Sequence, residues 1–250
     1  MDCIETKILH YESLPSTNDE AARLAIEGAQ EGLTVIADEQ TAGRGRLQRT
    51  WVSPRGAGLY LSLVLRPKLP LDQWTLVTFA AAVALKETVK REFTVDADIK
   101  WPNDILAGER KICGILAESI ETPKGRALIL GIGLNLKRHA IAEELQATAG
   151  SLEELTDKLV DRESLVNSLL REMAIWYKVL HEEVGAGTIV EAWERRSSYA
   201  FHKRISVAEG RNIFEGTTSG IERDGALRVI TQEGELRIVR AGDIRSVRAI

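Results

Sequence analysis

Residues 33–51 read LTVIADEQTAGRGRLQRTW. The apolar start of 33–40 is that of a buried strand, and it delivers the chain into a loop, 41–51, carrying Arg44, Arg46 and Arg49 around Gly43 and Gly45. Residues 59–67, LYLSLVLRP, read as the strand that leaves it. Arginine offers a planar fork of donors that fits phosphate or carboxylate, and glycine lets backbone approach where a side chain would not fit. The loop therefore suits a bound anion; the plain alternative is a solvated surface turn.

A second stretch, IKWPNDILAGERKICGIL at 99–116, argues for the anion. Pro102 stops any helix and biases Trp101 toward an extended conformation, which puts Lys100, Asn103 and Asp104 at a strand end or tight turn. Lys111 follows the turn AGER and enters the apolar strand ICGIL. Its side chain points either inward, where it needs an anionic partner, or outward to solvent. Cations converging on one ligand would each gain about 4 kcal/mol per unit charge at 4 Å and an effective dielectric near 20. That is enough to hold a triphosphate and stabilise a pentacoordinate phosphorus.

Outward from these motifs, IETKILHYESL at 4–14 reads as a strand ending at Pro15, and STNDEAARLAIEGA as a helix with Ser16 or Thr17 as its N-cap. LDQWTLVTFAAAVALKETVKREF, 71–93, is a long helix apolar nearly all round and belongs inside against a sheet. VDADIKWP, the hairpin-like pair DILAG and RKICGILAES, and RALILGIGLNLK add strands. Helices follow at 162–183 and 188–196, with GAGTIV at Gly185 read as the connection between them. The order predicts an α+β fold, a mixed sheet flanked by helices. After Ser198 the pattern turns to short alternating strands with hairpin turns at ERDG and QEG, a small β-barrel. The expected domains are 1–198 and 199–250.

Composition narrows the partners. The chain has 250 residues, a net charge of −4 and two cysteines, Cys3 and Cys113, which are far apart and lack metal-ligand spacing. A reducing, cytoplasmic compartment fits this usage. No secretory leader is legible and no apolar run approaches the roughly 18 residues of a membrane span. The cations are local, which points to a small anion rather than a nucleic-acid surface. His10, His139, His181 and His202 are scattered and suggest no zinc site. There is no GxxxxGK[ST] loop, GIGLNL at Gly131 lacks the third glycine of a dinucleotide fingerprint, and GxSxG is absent.

TAGRGRLQRTW, KWPNDI, the KICGIL strand, GIGLN and the early STN together resemble the biotin protein ligase family (biotin–[acetyl-CoA-carboxylase] ligase), in order and over nearly the whole chain. The resemblance implies a class II synthetase/biotin ligase-like catalytic domain and an SH3-like C-terminal barrel. It implies activation of biotin by ATP with Mg²⁺ to biotinyl-5′-AMP, then transfer to a lysine of a biotin carboxyl carrier protein. No tightly bound prosthetic group and no metal ligand from the protein are implied.

By the same resemblance Ser16, Thr17, Asn18 and Gln40 hold the biotin ring, and Gly43, Arg44 and Gly45 wrap the ligand. Arg46 restrains the adenylate, and Lys111 bridges the biotin carboxylate and α-phosphate. Arg49, Trp51, Lys100, Asn103 and Asn135 belong to the nucleotide side, core packing and a strand-end hydrogen bond being the alternatives for Trp51 and Asn135. Asp104 either positions the carrier lysine and takes its proton or is a structural turn aspartate. The motifs favour biotin over lipoate. Gln48 stands where many relatives have glycine. The short stretch before Ser16 leaves no room for a winged helix-turn-helix, so DNA binding is not expected; the lack of an apolar span gives no expectation of membrane association, and the resemblance implies a homodimer through exposed sheet edges.

Overall fold

The computed structural model describes residues 7–209, 212–240 and 242–246; Cys3 and positions 4–6 of the expected first strand lie outside the described residues. One sheet contains β1 (Ile8–Leu14), β2 (Thr34–Gln40), β3 (Gly58–Leu65), β4 (Asp98–Lys100), β5 (Asp104–Ala107), β6 (Arg110–Ile120) and β7 (Ala127–Asn135). Their order is β1-β2-β3-β7-β6-β5-β4. β1 runs parallel to β2 because helix α1 (Thr17–Ile26) forms the crossover between them, and every other neighbouring pair is antiparallel.

Strand alternation sorts the side chains onto two faces. Val35, Val64 and Ile129 meet Ala21 and Ala25 of α1. Their neighbours Ile36, Leu63, Leu65, Leu128 and Leu130 turn to the opposite face, where α2 (Thr75–Phe93), α3 (Arg162–Leu180) and α4 (Gly185–Glu194) gather. β3, covered on both sides, is buried at every residue, which is why its sequence is apolar but for Ser62. α2 lies between the sheet and α3 and α4, and its buried middle from Leu76 to Leu85 has no solvent face.

GAGTIV does not connect two helices; it opens α4, whose first residue is Gly185. Glycine is a poor helix former, but burial of Ile189, Val190, Ala192 and Trp193 overrides the local preference. Phe79 of α2 stacks on Trp193 with ring centroids 4.9 Å apart.

A second, antiparallel sheet holds β8 (Phe201–Glu209), β9 (Asn212–Ile221), β10 (Leu227–Thr231), β11 (Leu236–Val239) and β12 (Asp243–Ser246) in the order β11-β10-β9-β8-β12. Gly225 and Gly234 close the ERDG and QEG turns at φ of 84° and 85°. Among the described residues β11 and β12 do not pair, so the small barrel is open there. Trp101 Nε1 donates to Gly225 O at 3.0 Å, joining the KWPND turn to this sheet.

Candidate active site

Sheet register builds the floor of the site. Tyr60, Gly133, Gly114 and Asp104 stand opposite one another across β3, β7, β6 and β5, and Ser62, Gly131 and Leu116 form the next row. These rows lie on the α1 face but beyond the helix N-terminus, and glycine there leaves a cavity of about 390 Å³. A Cβ on Gly131 would sit 2.3 Å from Asn18 Oδ1, and one on Gly133 would sit 2.5 Å from Trp51 Nε1. Asn18 and Trp51 thus lie directly on the strand backbone.

Gly131→Ala is expected to raise the KM of the ligand held at Asn18 by at least about tenfold, because Asn18 is buried and hydrogen-bonded and cannot step aside cheaply. Steady-state kinetics check it, and an unchanged KM contradicts the close approach.

The first turn of α1 supplies one end of the cavity. Ser16 caps the helix, its Oγ accepting from Asp19 N at 3.4 Å. Gln40 Oε1 accepts from Thr17 N at 2.8 Å and lies 3.1 Å from Thr17 Oγ1, while Gln40 Nε2 donates to Ser53 Oγ at 2.9 Å. Ser16, Thr17, Asn18 and Gln40 all line the cavity.

Lys111 points into the cavity, where its Nζ lies 2.6 Å from Asp104 Oδ1 and 5.2 Å from the centroid of the Trp51 ring. Its backbone is pinned on both sides, donating to Thr148 O at 2.8 Å and accepting from Gly150 N at 2.9 Å.

The three loop arginines share this cavity without meeting at one point. Arg44 pairs with Glu118 at 3.1 Å and with Asp19. Arg46 Nη1 donates to Asn103 Oδ1 at 3.5 Å and Gly242 O at 3.3 Å, and stands 3.9 Å from Asp243 Oδ1. Arg49 pairs with the same Asp243. Burial lowers the pKa of Arg46, opposed by the charges of Asp243 and Asp104. Each cation has a carboxylate near it, as expected where an uncompensated charge would cost free energy on partial burial. Leu47 and Gln48, at the loop apex, take left-handed φ of 54° and 59°. Gln48 therefore occupies a conformation that glycine adopts without strain.

Gly45, Trp51, Asn103, Asp104 and Asn135 also line the cavity, and Asn135 Nδ2 donates to Gly150 O at 3.0 Å. Two residues singled out in the sequence do not. Gly43 is buried, a Cβ there meeting Trp51 O at 2.4 Å, and Lys100 lies with its Nζ 5.8 Å from the Tyr199 ring centroid.

Conversely, Ala140, Ile141, Leu145, Thr148 and Ala149 wall the cavity, and Asp243 reaches it from the second sheet. The segment after β7 has no periodic apolar pattern; its one signal is that it follows the glycine-bearing strand. Among the described residues no three His, Cys, Asp or Glu side chains gather to hold a metal, and no helix is long and apolar enough to cross a membrane. Cys113 is buried, which raises its thiol pKa and leaves it out of the chemistry.

One cavity holds a turn of hydrogen-bonding side chains at α1, a lysine and three arginines, a set that suits a ligand with a neutral polar group, a carboxylate and a phosphate. Residues 11–135 match the model of the biotin/lipoate A/B protein ligase family, and 202–245 match that of the biotin protein ligase C-terminal domain. A bifunctional ligase/repressor BirA of Bacillus subtilis is 36% identical over 241 residues, 94% of this chain and 72% of the relative. A biotin–[acetyl-CoA-carboxylase] ligase of Paracoccus denitrificans is 37% identical over 85% of this chain and 89% of the relative. The Aquifex aeolicus biotin protein ligase, solved in complex with biotin and ATP, superposes with a TM-score of 0.83 at 27% identity, covering 97% of this chain and 99% of that one.

Proposed function

The chain belongs to the biotin/lipoate A/B protein ligase family, and on that footing we propose that it activates biotin with ATP to biotinyl-5′-AMP and passes the biotinyl group to a lysine of a biotin carboxyl carrier protein. One observation carries this reading: Lys111 and the three loop arginines line a single cavity that also contains the α1 hydrogen-bonding turn.

Biotin's ureido ring sits among Ser16, Thr17, Asn18 and Gln40, with Arg44 and Gly45 folding over it and Gly43, buried behind them against Trp51 and Gln40, setting the path of the loop. Its carboxylate lies at Lys111, and a carboxylate oxygen attacks the α-phosphorus, displacing pyrophosphate. The Lys111 ammonium neutralises charge on both groups as the bond forms. Arg46 and Arg49 hold the phosphate side, Trp51, Asn103 and Asn135 line the nucleotide, and Lys100, set against Tyr199 outside the cavity wall, is left out of it. Mg²⁺ enters as the counter-ion of ATP. The carrier amine then attacks the acyl carbon, AMP leaves, and Asp104 positions the amine and takes its proton. No covalent enzyme intermediate is needed, because the mixed anhydride is itself the activated donor. The protein orients the reactants and excludes water.

We place the domain boundary at Ser198, between the end of α4 and the start of β8, giving a catalytic domain of 1–198 and a barrel of 199–250. Asp243, paired with Arg49, supports a role for that barrel in closing the phosphate end. A cytoplasmic location, a homodimer and no DNA contact complete the proposal; the net charge of −4 supports the last.

The test is incubation with ATP, Mg²⁺ and either biotin or lipoate, followed by mass detection of the acyl-adenylate. Biotinyl-5′-AMP is the expected product, and lipoyl-AMP alone would overturn the substrate assignment.

A further inference from the structure

We infer that Asn135 is a positioning residue for Lys111: its amide holds Gly150, and Gly150 holds the backbone from which the lysine reaches into the cavity. The inference rests on the proposal that the Lys111 charge serves adenylate formation.

The sheet by itself leaves Lys111 weakly placed. On one side β5 faces it across a register slip, with Ile105 opposite Cys113 and Leu106 opposite Lys111, so Ile112 is an extra residue and the pairing there is irregular. On the other side β7 pairs with β6 only as far as Leu134 and Cys113. Beyond that point Leu136 N and Lys137 N donate to Ala57 O at 3.0 and 2.9 Å, which draws the chain toward β3, on the far side of β7 from β6. A gap therefore opens beside Lys111.

Residues 148–150 fill it. They run parallel to β6 with Ala149 opposite Lys111; Thr148 O takes the Lys111 N–H at 2.8 Å and Gly150 N donates to Lys111 O at 2.9 Å. Thr148 N and Ala149 N turn back to Leu145 O, at 2.9 and 2.8 Å, so those bonds stay within the loop. Among the described residues, the one hydrogen bond that ties 148–150 to β7 is that from Asn135 Nδ2 to Gly150 O, 3.0 Å long. A carbonyl can only accept, so Gly150 also decides which way the Asn135 amide turns. Asn135 is 5% exposed, and a carbonyl deprived of its donor there would be left unsatisfied.

A backbone shift at Lys111 carries its Nζ along, and a displacement of about 1 Å at a reacting group can cost about 10²-fold in rate. Leu145, Thr148 and Ala149 also wall the cavity, so one segment sets both that wall and the lysine. Asn135 lines the cavity too, which makes direct contact with the nucleotide the rival role. The two roles move different kinetic constants.

The test is a double-mutant cycle in single-turnover adenylate formation with wild type, Asn135→Ala, Lys111→Ala and the double variant, at varied ATP and biotin. Asn135→Ala is expected to slow formation about tenfold at saturation, with both half-saturating concentrations within about twofold of wild type. In the Lys111→Ala background the same substitution should cost less than about twofold, because no ammonium remains to be placed. Gly150→Pro deletes the N–H given to Lys111 O and leaves Asn135 alone; a Cβ there first meets the partly exposed Arg110 side chain, at 3.4 Å. It should give the same loss and the same cycle, and serves if Asn135→Ala does not fold. An unchanged rate in Asn135→Ala, a tenfold loss repeated in full on Lys111→Ala, or a rise in half-saturating ATP as large as the fall in rate would each overturn the inference. Failure of wild type to make any biotinyl-5′-AMP would instead strike the functional reading.

Discussion

Lys111→Ala is expected to slow biotinyl-5′-AMP formation by about 10²–10³-fold, the usual loss when a positioned donor to a developing oxyanion is removed. Lys111 Nζ is held at 2.6 Å by Asp104 in the free protein, and its backbone is clamped between Thr148 and Gly150. The ammonium is therefore delivered to one place without search, and that place lies between the ring pocket and the phosphate end. Removal of the charge should fall mainly on kcat, since attack on phosphorus builds charge that the ground state lacks. The variant also leaves Asp104 half-buried without its cation. Lys111→Arg keeps the charge but widens and flattens it, and should recover only part of the rate. Single-turnover quenching with mass detection reads the rate, and wild-type adenylate formation by Lys111→Ala would show that the charge role is wrong.

Arg46→Gly is expected to leave the adenylate able to form but poorly held. Arg46 ties the loop to the KWPND turn through Asn103 and to the second sheet through Gly242, so one guanidinium closes the phosphate end from both sides. Loss of charged hydrogen bonds worth about 1.5–3 kcal/mol should speed release of biotinyl-5′-AMP by roughly 10–100-fold. The escaped anhydride would acylate any accessible lysine, so the measurable outcome is biotin on a bystander protein present in the reaction. Biotin confined to the carrier domain, with release at the wild-type rate, would remove Arg46 from that role.

Much of the fold is legible because burial on two faces writes itself into composition. β3, apolar but for Ser62, and α2, apolar from Phe79 to Leu85, each lie between two layers. The start of α4 is hidden because Gly185 and Gly187 oppose helix locally while Trp193 and Ile189 secure it from the core. The open barrel edge is a matter of strand geometry that alternation does not encode.

The site is legible in parts for similar reasons. Charged motifs declare themselves, whereas a floor made of missing side chains does not. GIGLN places Gly131 and Gly133 on one face by period-two spacing, but only the structure shows Asn18 and Trp51 lying on them. Glu118 has no motif of its own. Whether Lys111 turns inward is open in sequence, since a register shift between Ile105 and Leu106 breaks the simple alternation at that hairpin. Nor does sequence reveal that Arg44 faces Glu118 and Asp19 while Lys100 lies against Tyr199, because each partner is remote along the chain.

A crystal structure with biotinyl-5′-AMP bound tests most directly whether one cavity holds ring, carboxylate and phosphate in a line past Lys111. The ureido N–H is predicted at Thr17 Oγ1, and Lys111 Nζ within hydrogen-bonding distance of the acyl-phosphate oxygens, turned from Asp104. An adenylate bound with its acyl-phosphate away from Lys111, or outside this cavity, would contradict that arrangement.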